Sequence, residues 1–493
     1  MTSDGLYVGI DLGTQSVKVG VFDRSGSLDA AGSRPLTSRR DGLRHEQDPR
    51  EWVSATADAL AEAVGTMAPE RRRAIAGVAI CGTSGTLALV DVRGGPASTG
   101  IMYDDVRGGA LVDEITAADP NRWKRLGYRI QPSWAITTMV HLARGGMAGG
   151  TRFAHQPDVV AAAMTGGPVA TDWSSALKSG YDLIDLAWPT AAFTALGVDV
   201  GSLPPVVAPG SVLGHTSPDW EATTGLPAGV PVIAGMTDGC ASQLGAGALR
   251  EGDWHSVVGT TLVLKGVTGA PVQGGDGAVY SHRSPEPGRW LPGGASSVGA
   301  DAITVLLPDR DLTELAEDAD AAWRTGDVTV PVVYPLVRTG ERFPFVRPDA
   351  TGFAVVDGVE SGLDRLGDDV TTYLGIIAGV ACVEKLCLDS MAALGAPVDG
   401  RLSSSGGGTR SAVWTQLRAD LLGRPVVIPR SSEPSLGMAL LAAAATEGRS
   451  LPNVADEMSG VGQVVEPTET GGERMAQLYS ELSDRWRARG WIR

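Results

Sequence analysis

Cysteine is scarce in this chain of 493 residues: Cys81, Cys240, Cys382 and Cys387 lie far apart and form no C-x-x-C pair. A disulfide framework is thereby excluded, and reduced, buried thiols are expected. Lysine is nearly as scarce, five among 41 basic residues, and with 57 acidic side chains the formal charge is −16. Affinity for nucleic acid comes from clustered Lys and Arg that neutralise phosphates, so this balance speaks against a dedicated nucleic-acid binder. No apolar run reaches the roughly 18 residues of a membrane span, and no basic segment leading into an apolar stretch opens the chain. A cytoplasmic protein without a membrane partner is the expectation. The histidines (His45, His141, His155, His215, His255 and His282) show neither H-E-x-x-H nor another short ligand spacing, which argues against zinc. Two common phosphate signatures are missing as well. No Gly-Lys pair occurs, so a G-x-x-x-x-G-K-[ST] loop is excluded, and no G-x-G-x-x-G opens a helix.

Hydrophobic residues make up 43% and charged residues 20%, the range of ordinary globular chains. The length suits two large domains. Glycine is over-represented, 66 residues. Part of the excess is compositional background, and the rest falls in turns between strands. Leu6 to Asp11 reads as a strand and Val17 to Asp23 as another, joined by Leu12-Gly13-Thr14-Gln15. A helix follows, with Asp48 as N-cap, Pro49 at its first position, Glu51 three after the cap, and Trp52, Thr56, Ala59, Leu60, Ala63 and Val64 on one face. Gly77 to Asp91 returns to strand character around Gly82-Thr83-Ser84-Gly85. Strands alternating with helices indicate an α/β chain.

Past the middle, Val230 to Gly235 reads as a buried strand running into Met236-Thr237-Asp238-Gly239. Trp254 to Val258, Gly259-Thr260-Thr261 and Leu262 to Lys265 repeat the strand, Gly-Thr turn, strand arrangement of residues 6–23. The echo suggests two related halves, 1–247 and 248–493. Met475, Leu478, Tyr479, Leu482 and Trp486 mark an amphipathic C-terminal helix over about 472–489, with Glu466 to Gly472 as a flexible lead-in. Glycine turns between strands bare backbone N–H groups, which suits an anionic phosphate chain. Three such turns stand out: Asp11-Leu12-Gly13-Thr14, Gly259-Thr260-Thr261 and Gly406-Gly407-Gly408-Thr409. Singly, each reads equally well as an ordinary turn.

Their order and company carry more. Tyr7 to Thr14, Glu46-Gln47-Asp48-Pro49 with Trp52, Asp238-Gly239, Gly259-Thr260-Thr261, Gly406-Gly407-Gly408, then Trp414, Gln416, Ala419-Asp420 and Gly423-Arg424-Pro425-Val426 together resemble the FGGY family of carbohydrate kinases. The resemblance spans nearly the whole chain in the family's order and spacing. It implies two actin-like (ribonuclease H-like) ATPase domains, mixed sheets flanked by helices, with a cleft between them for ATP, Mg²⁺ and a sugar. By the same resemblance Asp238 is the catalytic base, able to take the proton of a sugar hydroxyl as its oxygen attacks the γ-phosphorus. A helix-capping aspartate is the competing reading. Asp11 and Asp238 would hold Mg²⁺, directly or through water. Gly13, Thr14 and Gln15 would face the β/γ-phosphates from the first domain, and Gly259, Thr260 and Thr261 from the second. Gly406, Gly407, Gly408 and Thr409 would admit the adenosine. Lys18 is either a phosphate partner or a solvent-facing strand residue.

For the sugar, Ile101-Met102-Tyr103-Asp104-Asp105-Val106-Arg107 matches a family segment in which Tyr103 and Asp104 replace the commoner Trp and Asn. Asp105 is implied as a sugar-hydroxyl ligand. Arg107 is either its orienting partner or a structural ion-pair residue. Thr83 and Ser84 stand where xylulose kinases show Met-His-Gly, and the Asn-Gln-Arg-Glu segment of glycerol kinases is missing. Residues 82–86, with His155-Gln156, Asp158, Thr171-Asp172, Ala176-Leu177-Lys178 and Gly180-Tyr181-Asp182, resemble a plant and cyanobacterial branch associated with D-ribulose. The expectation is an ATP-dependent kinase for a primary hydroxyl of D-ribulose, with D-xylulose as alternative, acting as monomer or homodimer. His155 is either a sugar contact or a buried structural residue, and Cys81 and Cys240 either reactive or merely buried. Actin-like filaments and chaperones, which hydrolyse nucleotide without a sugar, are the reading from another class.

Overall fold

The computed structural model describes residues 5–274, 277–326, 328–356 and 358–493. Its first strand, Leu6–Leu12, is buried along its length except at Asp11 because it is central: Ser16–Phe22 pairs with it antiparallel on one side and Ile75–Gly82 parallel on the other. Leu28–Pro35 continues the meander outward, while Pro231–Ile233 lies parallel to Ile75–Gly82 and is flanked by the antiparallel strand Val212–His215. The result is a mixed sheet of six strands. Residues 77–91 do not form one continuing strand. Ile75–Gly82 belongs to this sheet, and Leu87–Val90 to a second sheet of five strands with Arg152–His155 and Gly100–Ile101. The break falls at the turn of residues 83–86, where Gly85 has φ +106°.

Helix Pro49–Gly65 packs against the meander with Trp52, Thr56, Ala59, Leu60, Ala63 and Val64 buried, as its spacing predicts. Asp48 caps it through the N–H of Arg50. Glu51 does not close a capping box; its carboxylate accepts from the N–H and hydroxyl of Thr37. The strands Leu6–Leu12 and Ile75–Gly82 also carry helix Pro434–Glu447, buried almost all round. Its backbone comes very close. A Cβ at Gly9 would lie 1.7 Å from the Ser435 carbonyl oxygen, and one at Gly437 1.9 Å from that of Ala241 in helix Asp238–Gly245.

This helix changes the domain division. The chain forms two compact units, one of residues 1–249, 282–290 and 431–460, the other of 250–281, 291–430 and 461–493. The division at 247/248 therefore separates the first long segments, but residues 431–460 return to the first unit because Leu6–Leu12 and Ile75–Gly82 need an apolar helix to bury that face.

The second unit repeats the strand order. From Trp290–Ala295 its sheet runs through Leu262–Gly266, Trp254–Val258, Leu402–Ser405 and Val426–Pro429 to Val461–Val465. As in the first unit, an antiparallel meander is followed by parallel strands beside its first member and closed by an antiparallel edge. The long buried helix Asp369–Ala393 lies in its core. The C-terminal helix spans Glu469–Ala488. Its expected flexible lead-in is instead tied down: Thr468 caps the helix, and Asp420 accepts hydrogen bonds from the Thr468 N–H (2.7 Å) and hydroxyl (3.0 Å). Among the described residues no helix is long and apolar enough to cross a membrane.

Candidate active site

Three parallel strands of the first unit end at one edge, and the chemistry-bearing residues stand there. Asp11 pairs in register with Cys81 near the ends of Leu6–Leu12 and Ile75–Gly82, and Gly82 bridges Thr237, the residue before Asp238. Ligands in open α/β sheets bind outside the carboxyl ends of the strands, and this is such an edge. Asp238 opens helix Asp238–Gly245, where the dipole favours an ionised carboxylate. It is not the cap. Thr237 occupies that position, and the Gly239 N–H donates to Asp238 Oδ1 at 2.6 Å.

Burial, and next the charge of Asp238, push Asp11 up to about 6, with Lys18 opposing. The like charge of Asp238 and the partial burial of this edge both disfavour the ionised form of Asp11. Among the described residues no group of three or more His, Cys, Asp or Glu could hold a metal on its own. Lys18 resolves toward solvent: it is exposed, with Nζ 3.5 Å from Glu433. Cys81 donates weakly to Asp11 Oδ1 at 3.7 Å, and burial first, then Asp11, drives its thiol far up, so it is inert. Cys240 is buried as well, and none of the four cysteines is in a disulfide.

The turn at residues 13–15 is held from beneath. Gln47 Nε2 donates to the Thr14 carbonyl at 2.7 Å, and Gln47 Oε1 accepts from Trp52 Nε1 at 2.7 Å. The sequence motif that includes Gln47 and Trp52 is therefore a brace for this turn. Tyr103 reaches the same place. Its phenol is raised by burial and by Asp104 and Asp238, while a hydrogen bond with Thr14 opposes.

The acidic turn at 104–105 divides its work. Asp105 has no exposed side-chain surface. Its Oδ1 accepts from Arg107 N and Nε, both at 2.9 Å, and its Oδ2 from Arg107 Nη2 and His45 N, both at 2.7 Å. Arg107 continues to Glu46 Oε1 at 2.6 Å. These contacts form an ion pair that fixes the turn, and they leave Asp104 as its accessible carboxylate, bonded to His45 Nδ1 and, at 2.7 Å, to Arg40 Nη2. Asp104, Tyr103 and Gln47 are contacts the motif contained but sequence reasoning assigned no role.

At the 83–86 turn Thr83 is 7% exposed, its hydroxyl bonded to Thr86 Oγ1 (2.6 Å) and Gln156 Oε1 (2.8 Å). The Ser84 hydroxyl has no partner, and its carbonyl accepts from Lys178 Nζ at 3.0 Å. His155 is structural: Nδ1 faces Thr171 Oγ1 at 2.8 Å and Nε2 faces Ser179 Oγ at 2.7 Å.

In the second unit Gly259, Thr260 and Thr261 stand at the carboxyl end of Trp254–Val258, and Gly406, Gly407, Gly408 and Thr409 at that of its parallel neighbour Leu402–Ser405. The N–H of Ala300 donates to Gly259 O at 2.8 Å, which backs the first turn. Thr409 folds back onto Gly406 O through its N–H (3.2 Å) and hydroxyl (2.8 Å). Gly406 is demanded by the backbone, with φ +93° and only 2.5 Å from an added Cβ to Val258 O. Gly407 is not, since a Cβ there would meet nothing within 4 Å. Beneath these turns Arg418 and Glu384, each 1% exposed, form a bidentate pair at 2.6 and 2.7 Å, and Arg418 also donates to Ser404 and Ser256. His255 is held near 3, hence neutral, by burial and by Arg418.

The N-terminal domain model of the FGGY family of carbohydrate kinases matches residues 6–245, and the C-terminal domain model residues 255–446. Xylulose kinase of Streptomyces coelicolor is 30% identical over 510 aligned residues, covering 97% of this chain and 96% of that protein. Gluconokinase of Bacillus licheniformis is 22% identical, covering 96% and 93%. Among solved structures, xylulose kinase from Rhodospirillum rubrum superimposes with TM-score 0.84 at 24% identity over 98% of each chain. Matched through both domain models and along nearly its full length, with a carboxylate edge and glycine turns on two sheets of like topology, the chain belongs to the FGGY family of carbohydrate kinases and is a sugar phosphotransferase with actin-like domains.

Proposed function

We propose that the protein transfers the γ-phosphoryl group of ATP to a primary hydroxyl of a ketopentose, with D-xylulose the substrate and D-ribulose the second reading. The observation that carries this is the carboxylate pair of Asp11, near the end of Leu6–Leu12, and Asp238, at the start of helix Asp238–Gly245 and close enough to raise Asp11, in a chain 30% identical to a xylulose kinase over nearly its whole length. The resemblance of residues 82–86 and their companion segments to the D-ribulose branch supports the second reading, and the relatives outweigh it.

Asp238, at a helix start and open to solvent on one side, accepts the proton of the attacking hydroxyl. Phosphoryl transfer asks little covalent work of a protein, so positioning and charge neutralisation supply most of the catalysis. Asp11 and Asp238 fit Mg²⁺, an ion that keeps several waters and takes one or two carboxylates plus phosphate oxygens rather than an all-protein cage. When bound, it neutralises the charge of the phosphates. Gly13, Thr14 and Gln15 on one sheet, and Gly259, Thr260 and Thr261 on the other, offer N–H and hydroxyl donors to the β/γ-phosphates. Gly406 to Gly408 and Thr409 receive the adenosine, Gly407 being the glycine whose absent side chain is not required by the protein itself. Thr83, Ser84 and Asp104 meet the sugar, and Asp105 and Arg107 hold their segment in place.

ADP release with Mg-ATP and a panel of ketoses, polyols and aldonates tests the reading. D-xylulose is expected to give the highest kcat/KM. Preference for D-ribulose would exchange the two readings, and sugar-independent hydrolysis that no panel member increases would defeat both.

A further inference from the structure

The 83–86 turn carries more hydrogen-bond donors than acceptors to receive them. Lys178 donates one of its three N–H bonds to the Ser84 carbonyl, and among the described residues no Asp or Glu lies within ion-pair distance of its ammonium. Ser84 Oγ is buried and has no partner. Gln156 is fully buried, uses Oε1 to accept from the Thr83 N–H (3.0 Å) and hydroxyl, and leaves Nε2 without a partner. Half-burying an ammonium without a counter-charge is costly, as is leaving a buried amide unpaired.

The position of this surplus is fixed. The turn starts next to Gly82, which bridges Thr237, and the Thr237 N–H donates to Ser174 Oγ at 3.0 Å in the segment that leads to Lys178. Lys178 is half-buried while Ser174 to Leu177 and Ser179 are buried. Its stem lies over Gly85, where a Cβ would stand 3.3 Å from Lys178 Cδ and φ is +106°, a conformation open to glycine. Backbone and glycine together fix one ammonium on the turn that follows Gly82, whose bridge partner Thr237 precedes Asp238.

We propose that Lys178 is a specificity-determining residue that hydrogen-bonds the keto oxygen of the substrate, with Ser84 Oγ as a second donor. The inference rests on the ketose-kinase reading and adds which sugar oxygen is recognised and by what. A keto oxygen only accepts, so it satisfies a donor-rich turn. The hydroxyl of the corresponding polyol carries a proton of its own, which has to be placed on a second lone pair of the turn while Lys178 and Ser84 already point donors at the same oxygen.

The test uses the full-length protein and its Lys178→Met and Lys178→Arg variants, with D-xylulose as substrate and xylitol, its reduction product, as competitive inhibitor. Lys178→Met should raise the KM for D-xylulose by about tenfold or more, the scale of a hydrogen bond from a charged donor, with kcat little changed. The inhibition constant of xylitol should stay nearly constant, and Lys178→Arg should restore most of the ketose affinity. Equal loss of ketose and polyol binding would reduce Lys178 to a prop for the turn and overturn the inference. So would an unchanged KM, which leaves the ketose-kinase reading intact. A wild-type protein that phosphorylates only aldonates or polyols would instead overturn that reading and the inference with it.

Discussion

The two units place glycine turns at the carboxyl ends of parallel strands on sheets of like order, yet they use charge in opposite ways. In the first unit the charged groups stand at the strand ends: Asp11 at about 6 under burial and the field of Asp238, with Asp104 accessible nearby. In the second, the strand ends carry small and hydroxyl residues, and the charge lies underneath as the Arg418 and Glu384 pair, 1% exposed on both sides. The repeated fold therefore supplies backbone N–H groups in both units. Carboxylates at the strand ends are added in one of them. In the other, charge knits Trp254–Val258 to Leu402–Ser405 through Ser256 and Ser404.

The comparison breaks most visibly at Asp238. Asp238→Asn should lower kcat by about 10²–10⁴-fold, the usual contribution of a positioned base, with nucleotide affinity nearly unchanged in equilibrium titration. Turnover at the wild-type rate would remove the base from Asp238. Glu384→Gln should show the reverse pattern. It leaves Arg418 buried beside a neutral group, which costs about 3–5 kcal/mol and should lower the midpoint of the second unit's unfolding transition. An unfolding profile matching wild type would show that this pair is not what ties those strands together.

The same contrast explains what could be read from the sequence. Leu6–Leu12 with its hairpin, Trp254–Val258 with its own, and the helix after Asp48 were legible because turn chemistry, capping and apolar spacing act over a few residues. The Asp11, Asp238 and glycine-turn set was legible because those residues recur in a family order. The place of Pro434–Glu447 was not, since a helix buried all round has no polar face to say which sheet it covers. Nor were the separate fates of Asp104 and Asp105. Neighbours in sequence with the same side chain, they differ only in which one Arg107 and the His45 N–H enclose, and those contacts close in three dimensions. The tie between Asp420 and Thr468 was hidden for the same reason, so residues that look like a linker form a cap.

Smaller effects sharpen the comparison further. Asp11 is ordinarily near 3.8 and is raised to about 6 in the folded chain, so its ionisation opposes folding above about pH 6, and below about pH 4 the opposition is gone. In metal-free protein with a chelator, Asp11→Asn should thus gain up to about 3 kcal/mol of stability at pH 8 and nothing at pH 4, read from denaturation midpoints against pH. A gain that did not vary with pH would place its cause elsewhere. At the far end of the scale stands Gly407→Ala. Because the added Cβ meets no protein atom within 4 Å, its effect on stability should stay within about 0.5 kcal/mol. Gly406→Ala, strained at φ +93° and 2.5 Å from Val258 O, should cost about 1–3 kcal/mol. If the adenosine lies against this backbone, Gly407→Ala will raise the KM for ATP while leaving that for the sugar unchanged. An unaltered KM for ATP would mean that Gly407, like most glycines of this chain, only turns the backbone.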